Sequence, residues 1–195
     1  MADTLAAAQR RTGPGATLAG RPPKGERPPT LDREEIQARE NRYVERQVAD
    51  LVTADAGEAE LEAAAKKLGR IRKAALRAIE EYRPVRDAAA LSLALNDGVR
   101  GVYGVAGFNR SYFVRMRQEA LAAGGAKVVR GAAKKLVEAA GKVAQAEARI
   151  DAVRPVRDVV ANRLIGEFSW TRRAVADLMG VTEGAIAQRV RQRSA

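Results

Sequence analysis

From residue 30 onward, apolar residues return every three or four positions, and no segment sustains the every-other-residue alternation of a strand. The pattern predicts helices throughout. In the first, Ile36, Tyr43, Val44, Val48 and Leu51 form one stripe; Thr30 is placed as its N-cap, with Asp32, Glu34 and Glu35 suiting the positive helix end. Two longer stretches come next, with seven-residue spacing. Leu61, Leu68, Ala75 and Tyr82 recur with Ala64, Ile71 and Ala78 between them, behind a capping box at Asp55 and Glu58; Val129, Leu136, Val143 and Ile150 recur with Ala132, Ala139, Ala146 and Val153. Such seams fit helices packing on each other within one chain, or a coiled coil that joins two copies as a homodimer.

The pentapeptide RPVRD occurs at Arg83 to Asp87 and again at Arg154 to Asp158, 71 positions later. Each copy comes after a stretch containing AAKKL and precedes a glycine-punctuated apolar segment that turns arginine-rich. One unit therefore occurs twice. The division this implies is an arm at 1–29, an amphipathic helix at 30–53, a first repeat at 54–123 and a second at 124–195. Proline fixes φ and lacks an N–H, so Pro84 and Pro155 suit the first turn of a new helix, or a bend where the long helix enters a smaller domain.

The second copy is the clearer: RDVVANRLIGEFSWTRRAVADLMGVTEGAIAQRVRQR. Gly166 and Glu167 end a helix and Ser169 is placed to cap the next. Val175, Ala176, Leu178 and Met179 form that helix's inner face, Gly180 and Val181 make a tight turn, and Thr182 starts a last helix with Ile186 and Val190 inside. A small residue four before the turn glycine, then apolar residues at these offsets, is the spacing of a helix-turn-helix. The stretch resembles the small helix-turn-helix DNA-binding proteins common in actinobacteria and their phages and plasmids, whose motif is related to the DNA-reading end of sigma factors. The resemblance implies an all-α fold, here two repeats of a long amphipathic helix plus helix-turn-helix behind a disordered basic arm, and binding to double-stranded DNA. In the first copy, NDGVRGVYGVAGFNRSYFVRMRQ is two residues shorter between the matching Asp and Gly. Tyr103 falls where Ala176 stands and Arg117 where Val190 stands, conflicts that a shift onto Gly104 and Met116 would relieve. The first copy is thus either a distorted reader of bases or a structural partner.

Docking geometry assigns the roles. A recognition helix in the major groove offers its outer, N-terminal face to base edges: Thr182, Glu183, Ala185, Gln188 and Arg189 in the second copy, and Asn109, Arg110, Ser111, Tyr112 and Arg115 in the first. Phosphate contacts fall to Thr171, Arg172 and Arg173 at a helix start, and to Arg117, Arg191 and Arg193 further out. Trp170, the only tryptophan, reads as a core residue.

Charge agrees with a polyanionic partner. The chain has 35 Lys and Arg against 24 Asp and Glu, a net of +11. Residues 31–82 carry 10 basic and 12 acidic side chains, whereas residues 83–195 carry 20 and 10, so the positive potential lies with the pentapeptides and the segments C-terminal to them. Residues 1–30 add five basic against two acidic groups; five prolines and four glycines between residues 13 and 30 deny that arm a regular element. With neither Cys nor His, thiol and imidazole chemistry and the usual zinc ligands are excluded, and no metal or other cofactor is expected. Tyr103 and Tyr112 lie inside the first motif, with nothing to activate them as nucleophiles, so the chain is not expected to be an enzyme. No apolar run is long enough to span a membrane, and the start lacks a secretory core, which places the chain in the cytoplasm with the nucleoid. The function expected is sequence-specific DNA binding in regulation or in plasmid or phage maintenance. The alternative is an architectural protein that bridges DNA through its heptad helices.

Overall fold

The computed structural model describes residues 31–190, the side chains of 187–190 excepted. Seven α-helices succeed one another: α1 (Arg33–Val48), α2 (Glu58–Leu95), α3 (Val102–Ala106), α4 (Arg110–Ala122), α5 (Ala132–Gly166), α6 (Arg172–Met179) and α7 (Glu183–Val190). A single 3-10 turn at Ala49–Leu51 extends α1, and there is no strand among the described residues. No described helix is long and apolar enough to cross a membrane.

The two heptad stretches are α2 and α5, and they pack on each other within the chain, antiparallel. Leu61, Ala64, Leu68 and Ile71 from the start of α2 share a core with Ala152, Val153, Val160 and Leu164 from the end of α5. At the other end, Ala89, Ala90 and Leu93 of α2 meet Ala132 and Leu136 of α5. Between them a small cluster holds Ala75 and Ile79 against Ala146, with Ala78 and Ile150 beside it. The seams are rich in alanine, so the two backbones approach closely along most of their length. Val129, expected inside the second seam, precedes α5; its N–H is tied to the Ser92 hydroxyl at 3.0 Å.

Neither long helix breaks at its proline. Pro84 lies within α2 and Pro155 within α5, so the expected helix start there is corrected to a helix that continues through the proline. The carbonyls deprived of a partner one turn earlier, on Glu80 and Asp151, belong to solvent-exposed residues, so the lost bond leaves no buried polar group behind.

Three caps also differ from expectation. Asp32 caps α1, accepting from the Glu35 N–H at 3.0 Å, while Thr30 lies outside the described residues. Gly57 precedes α2 with no side-chain cap. Asp55 instead accepts a hydrogen bond from the Thr53 side chain, which holds its carboxyl below the usual carboxylate range. Thr171, not Ser169, caps α6, its Oγ1 accepting from the Ala174 N–H at 3.1 Å. An N-cap needs extended backbone, which Thr171 has, whereas Ser169 is left-handed with φ 58°.

Helix α1 lies along α5. Its buried carboxylate, Glu40, accepts from Gln145 Nε2 at 2.9 Å and Arg149 Nε at 2.7 Å, and the Arg149 guanidinium also stacks over Tyr43. Val44 and Val48 then join the core formed by the start of α2 and the end of α5.

The remaining helices form two pairs, α3 with α4 and α6 with α7, one at each end of the long hairpin. Each pair rests on both long helices. The end of α6 crosses α2 at Gly69, where an added Cβ would come within 2.9 Å of the Leu178 carbonyl oxygen. Gly141 of α5, also mid-helix, faces only the Leu31 side chain at ordinary contact distance. The same substitution should therefore act with opposite sign at these two sites. Gly69→Ala should destabilise by about 1–3 kcal/mol despite alanine's better helix propensity, because backbone cannot yield as a side chain does. Gly141→Ala should stabilise by about 0.5–1 kcal/mol. Urea unfolding of the two variants followed by far-UV circular dichroism measures both.

Candidate nucleic-acid interface

Both helical pairs are built around one turn geometry. Gly180 ends α6 in the left-handed region at φ 63°; its N–H reaches the Asp177 carbonyl at 3.2 Å, and the Val181 N–H reaches that of Ala176 at 3.0 Å. Gly107 ends α3 at φ 68° with the same two bonds, Gly107 N–H to Gly104 at 3.2 Å and Phe108 N–H to Tyr103 at 2.9 Å. This is the Schellman arrangement, which needs a residue without Cβ strain at the glycine position. Two residues beyond each glycine stands a polar residue that precedes the second helix: Asn109, whose side chain accepts from the Ser111 N–H at 2.9 Å, and Thr182.

An arginine from outside each pair holds the turn carbonyl. Arg72 of α2 donates to the Gly180 oxygen at 2.6 Å, and Arg33 of α1 donates to the Gly107 oxygen at 3.3 Å. Sequence reading missed both, since they sit 108 and 74 positions from their acceptors.

The pentapeptide arginines explain why RPVRD recurs. Arg86, buried, bonds Asp87 at 2.9 Å and lies over the Phe108 ring, 4.4 Å from its centroid. Asp87 in turn accepts from the Tyr112 hydroxyl at 3.3 Å. In the second copy Arg157 bonds Asp158 at 2.6 Å and lines a cavity of about 180 Å³ with Arg72, Ile150, Val153 and Arg154, beneath Val181, Thr182 and Ala185. Phe108 and Val181 both come directly after the turn glycine. Each RPVRD therefore offers its second arginine to the turn of its own helical pair.

Of the expected base-reading residues, Asn109, Arg110, Ser111, Tyr112 and Arg115 are all exposed at the start of α4; Tyr112 is tethered to Asp87, and Arg115 pairs loosely with Glu119 at 3.8 Å. Thr182 and Glu183 are exposed at the start of α7, while Ala185 is half-buried toward the cavity. Gln188 and Arg189 lie in α7, their side chains outside the described set; Arg191 and Arg193 lie outside the described residues. Thr171 caps α6, Arg172 and Arg173 are exposed in its first turn, and Arg117 is exposed on α4. Trp170 packs against the core and donates from Nε1 to Glu58 at 2.6 Å.

One expected conflict does not arise. Tyr103 is not jammed at the crossing that Ala176 occupies: α3 is five residues long against eight in α6, and Val102, Val105 and Ala106 are buried while Tyr103 stands exposed. Likewise Met116 packs against the core and Arg117 turns outward. The expected shift onto Gly104 is corrected, since Gly104 is exposed and the buried face of α3 is Val102, Val105 and Ala106; the shift from Arg117 to Met116 on α4 is as expected.

Compared with known protein families, curated proteins and solved structures, the chain matches none.

The two arginines of each pentapeptide should differ sharply in what they contribute. Arg86→Ala or Arg157→Ala removes one member of a largely buried ion pair beneath a turn, and should cost about 3 kcal/mol. Arg83→Ala or Arg154→Ala touches half-exposed pairs and should cost less than about 1 kcal/mol. Equilibrium urea denaturation of the four variants tests the contrast.

Proposed function

We propose that the chain binds double-stranded DNA in a sequence-specific manner, with α4 and α7 as recognition helices. The observation that carries this reading is the pair of matched Schellman turns, each presenting the exposed N-terminal residues of the next helix, on a chain with a net charge of +11. A helix presented in this way fits the major groove, and its first exposed residues reach base edges.

Asn109, Arg110, Ser111 and Arg115 on one side, and Thr182, Glu183, Gln188 and Arg189 on the other, are the base readers. Arginine suits guanine, glutamine and asparagine suit adenine, and glutamate accepts from cytosine. Thr171, Arg172, Arg173 and Arg117, with Arg191 and Arg193 beyond α7, take phosphates. Because Tyr103 leaves the crossing free and Phe113 seats α4 on the core, nothing bars α4 from reading bases beside α7, and we take both as readers. The role is regulation or plasmid or phage maintenance, in the cytoplasm at the nucleoid. Bridging between chains is less favoured: the heptad positions of α2 and α5 are buried against each other inside one chain, so those seams are not on offer to a second copy.

Selection of bound duplexes from a random pool tests the reading directly, with an enriched site expected and an unenriched pool overturning it. On that site, engagement of about six phosphates should lower affinity on the order of a thousandfold between 50 and 200 mM salt. Gln188→Ala with Arg189→Ala should cost roughly 1–3 kcal/mol per lost base contact and relax preference in one part of the site. Arg110→Ala with Arg115→Ala should do the same in a different part. Binding of both double variants to selected and scrambled duplexes at one salt concentration reads this out; loss confined to the Gln188 and Arg189 variant would leave α4 as a backbone contact only.

A further inference from the structure

Two copies of a unit in one chain can be related in space by translation or by rotation, and the two arrangements demand different partners. Translated units would present α4 and α7 in the same direction. The packing of α2 on α5 decides between them. At the middle of the hairpin, Ala75 and Ile79 lie with Ala146 and Ile150, and each of these pairs is 71 positions apart, the same offset as the two RPVRD copies. Moving outward, the start of α2 meets the end of α5 and the end of α2 meets the start of α5. Where a group of residues packs against its own counterparts across an antiparallel pair, the relation is a two-fold axis.

For two antiparallel helices lying side by side, that axis can only run perpendicular to the plane containing both. Rotation about it exchanges the ends but keeps each face where it was, so both helical pairs rise from the same face of the hairpin. The docking contacts agree. Arg86 and Asp87 hold Phe108 and Tyr112 of the first pair, and the counterpart Arg157, paired with Asp158, lines the cavity that Val181, Thr182 and Ala185 of the second pair also line. Helix α1, which has no counterpart, reaches the first pair through the Arg33 side chain at the Gly107 turn and otherwise lies on the other side of α5. It packs on Gly141, Gln145, Ala148 and Arg149 of α5, whereas the start of α7 lies over Arg154 and Arg157; at about 100° per residue these stripes fall on roughly opposite sides of the helix.

We propose that one chain reads a bipartite duplex whose two half-sites are inverted relative to each other, the arrangement ordinarily met by a homodimer, although its two units are direct repeats in sequence. This rests on the DNA-binding reading above. The half-sites are unlike: Arg110 stands where the second unit has Glu183, Ser111 where it has Gly184, and Arg115 where it has Gln188. The site is therefore inverted in orientation without being a palindrome in sequence. Because two long helices fix the readers to each other, the spacing of the half-sites is fixed too.

The test uses the full chain and 30-base-pair duplexes carrying the site selected from a random pool. In one duplex the half-site sensitive to Arg110→Ala with Arg115→Ala is replaced in place by its reverse complement; in another, five base pairs, about half a helical turn, are inserted between the halves. Each change should weaken binding by roughly tenfold or more, to the level of a duplex with that half scrambled. The Arg110 and Arg115 variant should bind all of these duplexes alike, and sedimentation should give one chain per duplex. Orientation is decided by repeating the selection with the variant Arg110→Glu, Ser111→Gly and Arg115→Gln, whose α4 presents the residues of α7 at those positions. Related half-sites in inverted order are expected, whereas related half-sites in the same order, indifference to the insertion, or two chains per site would overturn the inverted arrangement while leaving sequence-specific binding intact. An unenriched pool would instead remove the DNA reading, and the proposal with it.

Discussion

The antiparallel packing of α2 on α5 is the constraint that organises every other element of the structure. These helices span 38 and 35 residues, each on the order of 50–60 Å long, and each is apolar along one side only. Alanines dominate the shared seam, so the helices sit close but bury little area per residue, and the larger apolar side chains gather where other helices can join them. At one end α1, α6 and α7 complete the core; at the other α3 and α4 do. The start of each long helix thereby supports the helical pair that comes after the other. Arg163 near the end of α5 donates to the carbonyls of Thr53 and Ala56 before α2, at 2.7 and 2.8 Å, which ties the two halves of the chain at the same place.

Much of this was legible from periodicity. The heptad positions, the inner face of α6 and the turn at Gly180 all derive from local spacing, and local spacing is what the eye can count along a chain. Intramolecular pairing of the seams was one of two readings that spacing allowed; choosing between them needed the antiparallel contact itself. The prolines depart from expectation because the rule applied to them is local. A proline costs a helix its hydrogen bond to the previous turn, but on the outer side of a helix held by a long buried seam that carbonyl is open to solvent. The cap of α6 sits two residues later than expected for a related reason: Ser169 has the right side chain, but the chain entering α6 puts extended backbone only at Thr171.

What could not be read from the sequence was contributed by residues distant along it. Gly69 has the look of a flaw in a strong helix former, and its purpose emerges only when the Leu178 carbonyl is laid across it. Arg72 and Arg33 are ordinary basic residues until the turn oxygens of Gly180 and Gly107 arrive. The pentapeptide is an intermediate case. Its repetition was visible at once, but the reason for it required seeing Arg86 beneath Phe108 and Arg157 beside Val181.

The two halves have diverged in ways that compensate one another. Position 143 of α5, the counterpart of Arg72, is a buried valine, so the second long helix has no arginine to offer the first turn. Helix α1 supplies one instead: Glu40 anchors it to α5 through Gln145 and Arg149, which brings Arg33 to the Gly107 carbonyl. The shorter α3 gives the first pair less helix with which to fill its core. Aromatic side chains make up the volume there, with Phe108 stacked on Phe113 and Tyr112 against Phe108, where the second pair has Val181, Ile186 and Ala185. Divergence of this kind preserves the turn and the exposed start of the helix after it while changing nearly every side chain that start presents. The fold thus keeps one presentation at both ends of the hairpin and varies the residues presented.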